Sequence, residues 1–119
     1  MKRVLLVEGH NLLREVLAAE LDRMPDLEVA AESSSLAEAR RAIGLGGIDI
    51  ALVDHDLPDG DGLELVRELH DVQPHSITTL VLSTSPDPAV YELAVQAGAS
   101  EVLTPGGSIE ELLLALKSI

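Results

Sequence analysis

Ile48-Asp49-Ile50-Ala51-Leu52-Val53-Asp54-His55-Asp56-Leu57-Pro58-Asp59-Gly60-Asp61-Gly62 is the stretch on which the fold turns. Its first half, Ile48–Val53, is almost unbroken aliphatic, as expected of a strand covered by helices on both faces. Its second half is rich in Asp, Pro and Gly, the residue types that a strand-to-helix turn demands. After Gly62, Leu63, Val66 and Leu69 recur at helical spacing. Strand, turn and helix follow one another within 22 residues, and the same alternation continues in both directions.

Toward the N-terminus, Arg3–Val7 and Leu27–Ala31 have strand character, the second more polar toward Glu32 and so suited to a sheet edge. Toward the C-terminus the strand-like runs are Ile77–Leu82 and Glu101–Leu103. Asn11 is placed to cap a helix with Leu13, Val16, Leu17, Leu21 and Met24 on its apolar face. Ser35 and Glu38 have capping-box spacing ahead of Leu36, Ala39 and Ile43, and Ser108 and Glu111 repeat it before Ile109, Leu112, Leu113 and Leu116. Asp87-Pro88 reads as a cap with proline at the first helical position, followed by Val90, Leu93, Ala94 and Ala97. Five βα units of this kind predict an α/β fold with a parallel sheet, because parallel neighbours need crossover connections. Right-handed crossovers then give a doubly wound sandwich of one domain over residues 1–119. In such sheets the working crevice lies beyond the carboxyl ends of the strands. That directs attention to Glu8-Gly9-His10, Asp54-His55-Asp56, Ser83-Thr84 and Thr104-Pro105.

Composition removes several functions. The 119 residues are 46% apolar, enough to bury roughly 65% of the unfolded surface without disulfides. Eight Lys and Arg against 21 Asp and Glu leave a formal charge of -13, which repels phosphate backbones and anionic lipid. DNA binding would therefore need a separate basic domain, and no membrane partner is expected. The absence of cysteine excludes thiolate zinc sites and cysteine nucleophiles. One Tyr, with neither Phe nor Trp, argues against base stacking and aromatic-walled pockets. Neither a signal peptide nor a run of ~18 apolar residues is evident, so a cytoplasmic protein is expected.

Within the quoted stretch, Asp59 and Asp61 read as turn-formers. Asp54 differs, because a carboxylate closing an all-aliphatic strand is costly to bury unless something uses it. A calcium loop does not fit: counted from Asp54, its fifth and sixth positions are Pro58 and Asp59 rather than a ligand and glycine. His10 and His55 read as polar turn residues, and His70 and His75 as solvent-facing groups near the opposite end of the sheet.

Leu52-Val53-Asp54-His55-Asp56-Leu57-Pro58-Asp59-Gly60-Asp61-Gly62 resembles the phosphoacceptor loop of response-regulator receiver domains (CheY-like) in two-component signalling. Val4-Leu5-Leu6-Val7-Glu8-Gly9-His10 is similar to the family's first strand and acidic turn, Leu80-Val81-Leu82-Ser83-Thr84 to its fourth strand, and Ala97-Gly98-Ala99 to the approach to its fifth. His10 and the ending Glu111–Leu116 are similar to receivers that precede helix-turn-helix output domains of the NarL/LuxR type. The resemblance implies a flavodoxin-like (βα)5 sandwich with strand order 2-1-3-4-5. It implies Asp54 as the residue accepting a phosphoryl group from a histidine kinase or small phosphodonor, and Ser83 as the switch hydroxyl. It also implies Mg²⁺ held by Glu8, Asp54 and the backbone carbonyl of Asp56.

Three departures accompany these matches. The second acid after the first strand is Gly9, and the aromatic switch position is Val102; the family's lysine after the fifth strand is Pro105 when counted from Gly98-Ala99, or is missing between Thr104 and Pro105 if one residue is deleted. Beyond Arg67 the only Lys or Arg is Lys117. Two charge-assisted contacts worth roughly 1.5–3 kcal/mol each are thus missing, or about two to four powers of ten in rate or metal affinity. The expectation is an atypical (pseudo-) receiver: a non-enzymatic signalling module, a homodimer, with weak or absent Mg²⁺ and phosphate use. The alternative is a conventional phosphoacceptor receiver with Glu8 ligating the metal. A small-molecule sensor lined by His10, His55 and Thr84 is a further reading. Asp54-His55-Asp56 also echoes the Asp-x-Asp of haloacid-dehalogenase phosphohydrolases, but Pro58, the third-strand position and the missing lysine speak against it.

Overall fold

The structure is a computed structural model and describes residues 1–72, 77–83, 87–103 and 114. Five strands, β1 (Lys2–Val7), β2 (Leu27–Ser33), β3 (Ile50–Asp54), β6 (Thr78–Leu82) and β7 (Glu101–Leu103), form a parallel sheet in the order β2-β1-β3-β6-β7. This is the expected 2-1-3-4-5 order once a small antiparallel hairpin is set aside. That hairpin, β4 (Asp56–Leu57) and β5 (Gly60–Asp61), stands where the sequence predicts only a turn. Helices α1 (Asn11–Asp22), α2 (Leu36–Gly44), α3 (Gly62–Val72) and α4 (Pro88–Ala97) complete the described elements.

Period-2 alternation in the central strands feeds two cores. Leu5, Val7, Ala51, Val53 and Val81 meet Leu36, Ala39, Leu63, Val66, Leu69, Ala94 and Ala97 from α2, α3 and α4 on one face. Val4, Leu6, Ile50, Leu52 and Leu80 meet Leu17, Ala18 and Leu21 of α1 on the other. Each fully buried aliphatic contributes about 1.5–3 kcal/mol, which is why β1 and β3 need no polar face. β2 lies at the sheet edge, as its polarity suggested.

Several local expectations are corrected. His10, not Asn11, is the N-cap of α1, and its side chain makes no capping bond; Asn11 Oδ1 instead accepts from Arg14 (2.8 Å). Leu13 (37%) and Val16 (39%) on α1 and Leu93 (45%) on α4 are exposed rather than core. The Ser35–Glu38 capping box is half formed: Ser35 Oγ accepts from the Glu38 N–H, while Glu38 reaches past it to the Ser34 N–H and hydroxyl. Asp87 caps α4 through the Ala89 N–H, with Pro88 in its first turn, as predicted. The Ser108–Glu111 box and its apolar stripe lie outside the described residues.

Candidate functional site

Parallel register brings the ends of β1 and β3 side by side, with Val7 paired to Val53, so the residues that follow them are neighbours. Glu8 follows β1, its N–H donating to the Ser33 carbonyl oxygen at 2.9 Å. Asp54 ends β3, opposite Leu82 of β6. Both carboxyls are buried, at 0% and 1% exposure. Asp54 Oδ1 accepts from the Asp56 N–H (3.0 Å), a bond that turns the chain out of the strand.

His10 closes over this pair. Glu8 Oε1 accepts from the His10 N–H at 3.1 Å and lies 2.9 Å from Nδ1, which is 3.8 Å from Asp54 Oδ2. Arg14 fixes the same turn by donating to the Glu8 carbonyl oxygen at 2.7 Å. Glu8 Oε2 is buried and has no hydrogen-bond partner among the described residues. Burial, then the adjoining Glu8 carboxyl, pushes the Asp54 pKa up to about 7; the Asp56 N–H and His10 act in the opposite sense. The hydrogen bond to Glu8 and its charge, supplemented by Asp54 and Asp56, raise the His10 imidazole above its ordinary value. Two buried acids, one of them with an oxygen that no described donor reaches, make this a cation-seeking site.

The hairpin holds the socket's rim, and its aspartates have separate tasks. Asp59 Oδ1 accepts from the Leu36 N–H (2.8 Å) and Oδ2 from the Ala37 N–H (3.1 Å), two free donors in the first turn of α2. Those bonds hold the Asp59 carboxyl below the usual carboxylate range. Asp59 is therefore a long-range anchor rather than a simple turn-former. Asp61 Oδ1 accepts from the Leu63 N–H at the start of α3 (2.9 Å). Asp56 is exposed. His55, half-buried, donates its N–H to the Leu82 carbonyl oxygen and places Nε2 3.7 Å from Asp61 Oδ1.

Of the departures, Gly9 adjoins the socket, between Glu8 and His10. A Cβ on Gly9 would sit 3.1 Å from Pro58 Cδ, so an acid there presses on the hairpin. Ser83 is buried just after β6 and donates its N–H to Leu103. Val102 is half-buried in β7 beside Val81, packed against the α2–α3–α4 core. Thr84, Thr104, Pro105, Lys117 and His75 lie outside the described residues. His70 is exposed as expected, yet its ring packs under Gly98, which caps α4 at φ +108°. Sequence reasoning missed the inward turn of His10 and the reach of Asp59. The i, i+2 spacing of His10 from Glu8 was the available signal for the first.

A 2-1-3-4-5 parallel sheet with buried acids at its carboxyl edge is the CheY-like version of the flavodoxin fold. Residues 4–117 match the response regulator receiver domain, and the chain belongs to that family. It is 35% identical over 119 residues to the transcriptional regulatory protein UhpA of Salmonella typhimurium, covering 100% of this chain and 59% of that one. It is 34% identical to the DNA-binding transcriptional activator DevR/DosR of Mycobacterium tuberculosis, covering 100% of this chain and 54% of that protein. The chain thus spans little more than half the length of these relatives. Among solved structures, a LuxR-family two-component response regulator from Aurantimonas superposes with a TM-score of 0.89 at 28% identity, covering 98% of this chain and 82% of that one. A LuxR-family DNA-binding response regulator from Staphylococcus aureus reaches 0.91 at 22% identity, covering 99% and 98%, a likeness of fold.

Receiver domains bind Mg²⁺ at such an acidic site. Here the buried carboxyls of Glu8 and Asp54 suit a divalent cation, and one Glu8 oxygen, Oε2, has no hydrogen-bond partner among the described residues, but the third side chain with a ligand atom within 4.8 Å of theirs is the His10 imidazole. Mg²⁺ demands oxygen ligands and keeps its waters, so this donor set fits it poorly. Among the described residues no helix is long and apolar enough to cross a membrane.

Proposed function

We propose that this chain is an atypical receiver, a single signalling domain that sets the dimerisation of a separate DNA-binding output domain of the NarL/LuxR type. It makes weak or no use of phosphate on Asp54. The observation that carries the reading is the composition of the socket. Glu8 and Asp54 are buried together, Gly9 stands where a second acid would ligate, and the basic side chain facing both carboxyls is His10. The sequence supports it from the other side, with Pro105 in the position of the family's lysine.

In this reading Asp54, Glu8 and Asp56 keep the family's places for nucleophile and metal ligands, and Ser83 keeps that of the switch hydroxyl. Their charge is answered internally by His10 rather than by Mg²⁺ and lysine. Exposed Leu12, Leu13 and Val16 on α1, and Tyr91, Leu93 and Val95 on α4, supply apolar surface for a homodimer. A histidine kinase or small-molecule effector is the upstream partner, the protein works in the cytoplasm, and DNA contact falls to a basic domain because this one carries -13.

Intact-mass spectrometry after acetyl phosphate and Mg²⁺ tests the reading. The wild type stays largely unmodified, and the Gly9→Asp, Pro105→Lys double variant gains one phosphoryl group on Asp54. Rapid, near-complete modification of the wild type identifies a conventional receiver instead.

A further inference from the structure

We infer that Glu8, Asp54 and His10 form a binding site for a borderline first-row transition cation, best matched by Zn²⁺, in place of a Mg²⁺ site. This deepens the proposed function and rests on that reading where it takes Mg²⁺ binding as weak.

Three observations carry it. The ligand atoms of the three side chains lie within 4.8 Å of one another. Glu8 is fully buried and its Oε2 lacks any hydrogen-bond partner among the described residues, so the socket contains an oxygen with nothing to bind. The third donor is a nitrogen: His10 Nδ1 lies 2.9 Å from Glu8 Oε1 and 3.8 Å from Asp54 Oδ2.

Ligands about 2.0–2.2 Å from one ion stand roughly 2.9–3.5 Å apart, so the Glu8–His10 edge already has the right length, the His10–Asp54 edge needs a small shift, and the Glu8–Asp54 edge lies within 4.8 Å. Two carboxylates and an imidazole, with the remaining positions open, are a donor set that zinc accepts and magnesium does not favour. The two acids are fixed by the ends of β1 and β3. The imidazole is 67% exposed, which leaves an entry path and room for water or an anionic ligand on the ion. Because His10 makes no capping bond to α1, its exchange for the metal does not undo the helix.

The test is calorimetric titration of the intact chain with Zn²⁺ and, separately, with Mg²⁺, for the wild type, His10→Ala and His55→Ala. Urea unfolding verifies that each variant is folded. Losing an outer-sphere partner of a metal costs 10–100-fold, so losing the His10 ligand is expected to cost about 100-fold in Zn²⁺ affinity. His55→Ala should retain the one-to-one wild-type isotherm, and Mg²⁺ should bind at least about tenfold more weakly than Zn²⁺. Unchanged Zn²⁺ affinity in His10→Ala overturns the inference and leaves the proposed function standing. Mg²⁺ binding as tight as Zn²⁺ overturns both. Loss of Zn²⁺ binding in His55→Ala moves the site away from the socket and also overturns the inference.

Discussion

Asp54 is costly where it stands. Burial and the adjoining Glu8 carboxyl raise its pKa from 3.8 to about 7, so between those values the folded chain holds a proton that the unfolded chain has released. Stability contributed by that proton is fully present below the unfolded value and is lost as pH rises through about 7. Asp54→Asn removes the liability. In EDTA its urea midpoint should match the wild type near pH 4 and exceed it progressively toward pH 8; a gap that narrows with rising pH contradicts this. Asp59 obeys the opposite sign. Its lowered pKa comes from the Leu36 and Ala37 N–H groups, so its contribution is present above the unfolded value and lost as pH falls through the folded one. Asp59→Ala should therefore lower the melting temperature at pH 7 and converge on the wild type in acid. Thermal melts at several pH values check it.

At the scale of elements, the hairpin β4–β5 is a strut between the socket and two helices. Asp59 fastens it to α2, Asp61 to α3, and Gly62 lets α3 begin directly beneath Asp54. A Cβ on Gly62 would run into the Asp54 carbonyl oxygen and come 3.0 Å from Val53 Cγ1. Gly62→Ala should cost about 1–3 kcal/mol in urea unfolding, as overpacking does. An effect below a few tenths would mean that α3 starts with slack. The sequence disclosed the strands because the aliphatic runs in β1, β3 and β6 are those of strands covered on both faces, and the resemblance to receiver domains supplied their order. It disclosed Asp54 because a carboxylate closing such a run is conspicuous. It did not disclose Asp59's grip on α2, a contact between residues 22 and 23 positions apart. Nor did it show that Leu13, Val16 and Leu93 face out, because helical spacing defines a stripe but not how wide a stripe the sheet covers. His10 was legible as a turn residue, and its aim into the socket depends on where β3 ends.

For the whole molecule, the net charge of -13 opposes self-association, while the exposed apolar residues of α1 and α4 favour it. If the domain dimerises as proposed, raising salt from about 10 mM to about 150 mM, which shortens the screening length from roughly 30 Å to 8 Å, should strengthen the dimer. Sedimentation equilibrium reads this directly, and dissociation on adding salt would show that ion pairs rather than apolar faces hold the copies together. The same acidity opposes an incoming phosphoryl dianion, and the cation and second acid that would offset it are replaced by Pro105 and Gly9. In the proposed reading, phosphate independence follows from that charge distribution, with the aspartate itself kept in place. A crystal structure grown with Mg²⁺ and beryllofluoride measures it most directly. The account predicts a bare Asp54 side chain with His10 still on Glu8; an octahedral Mg²⁺ and a fully occupied beryllofluoride on Asp54 would contradict it.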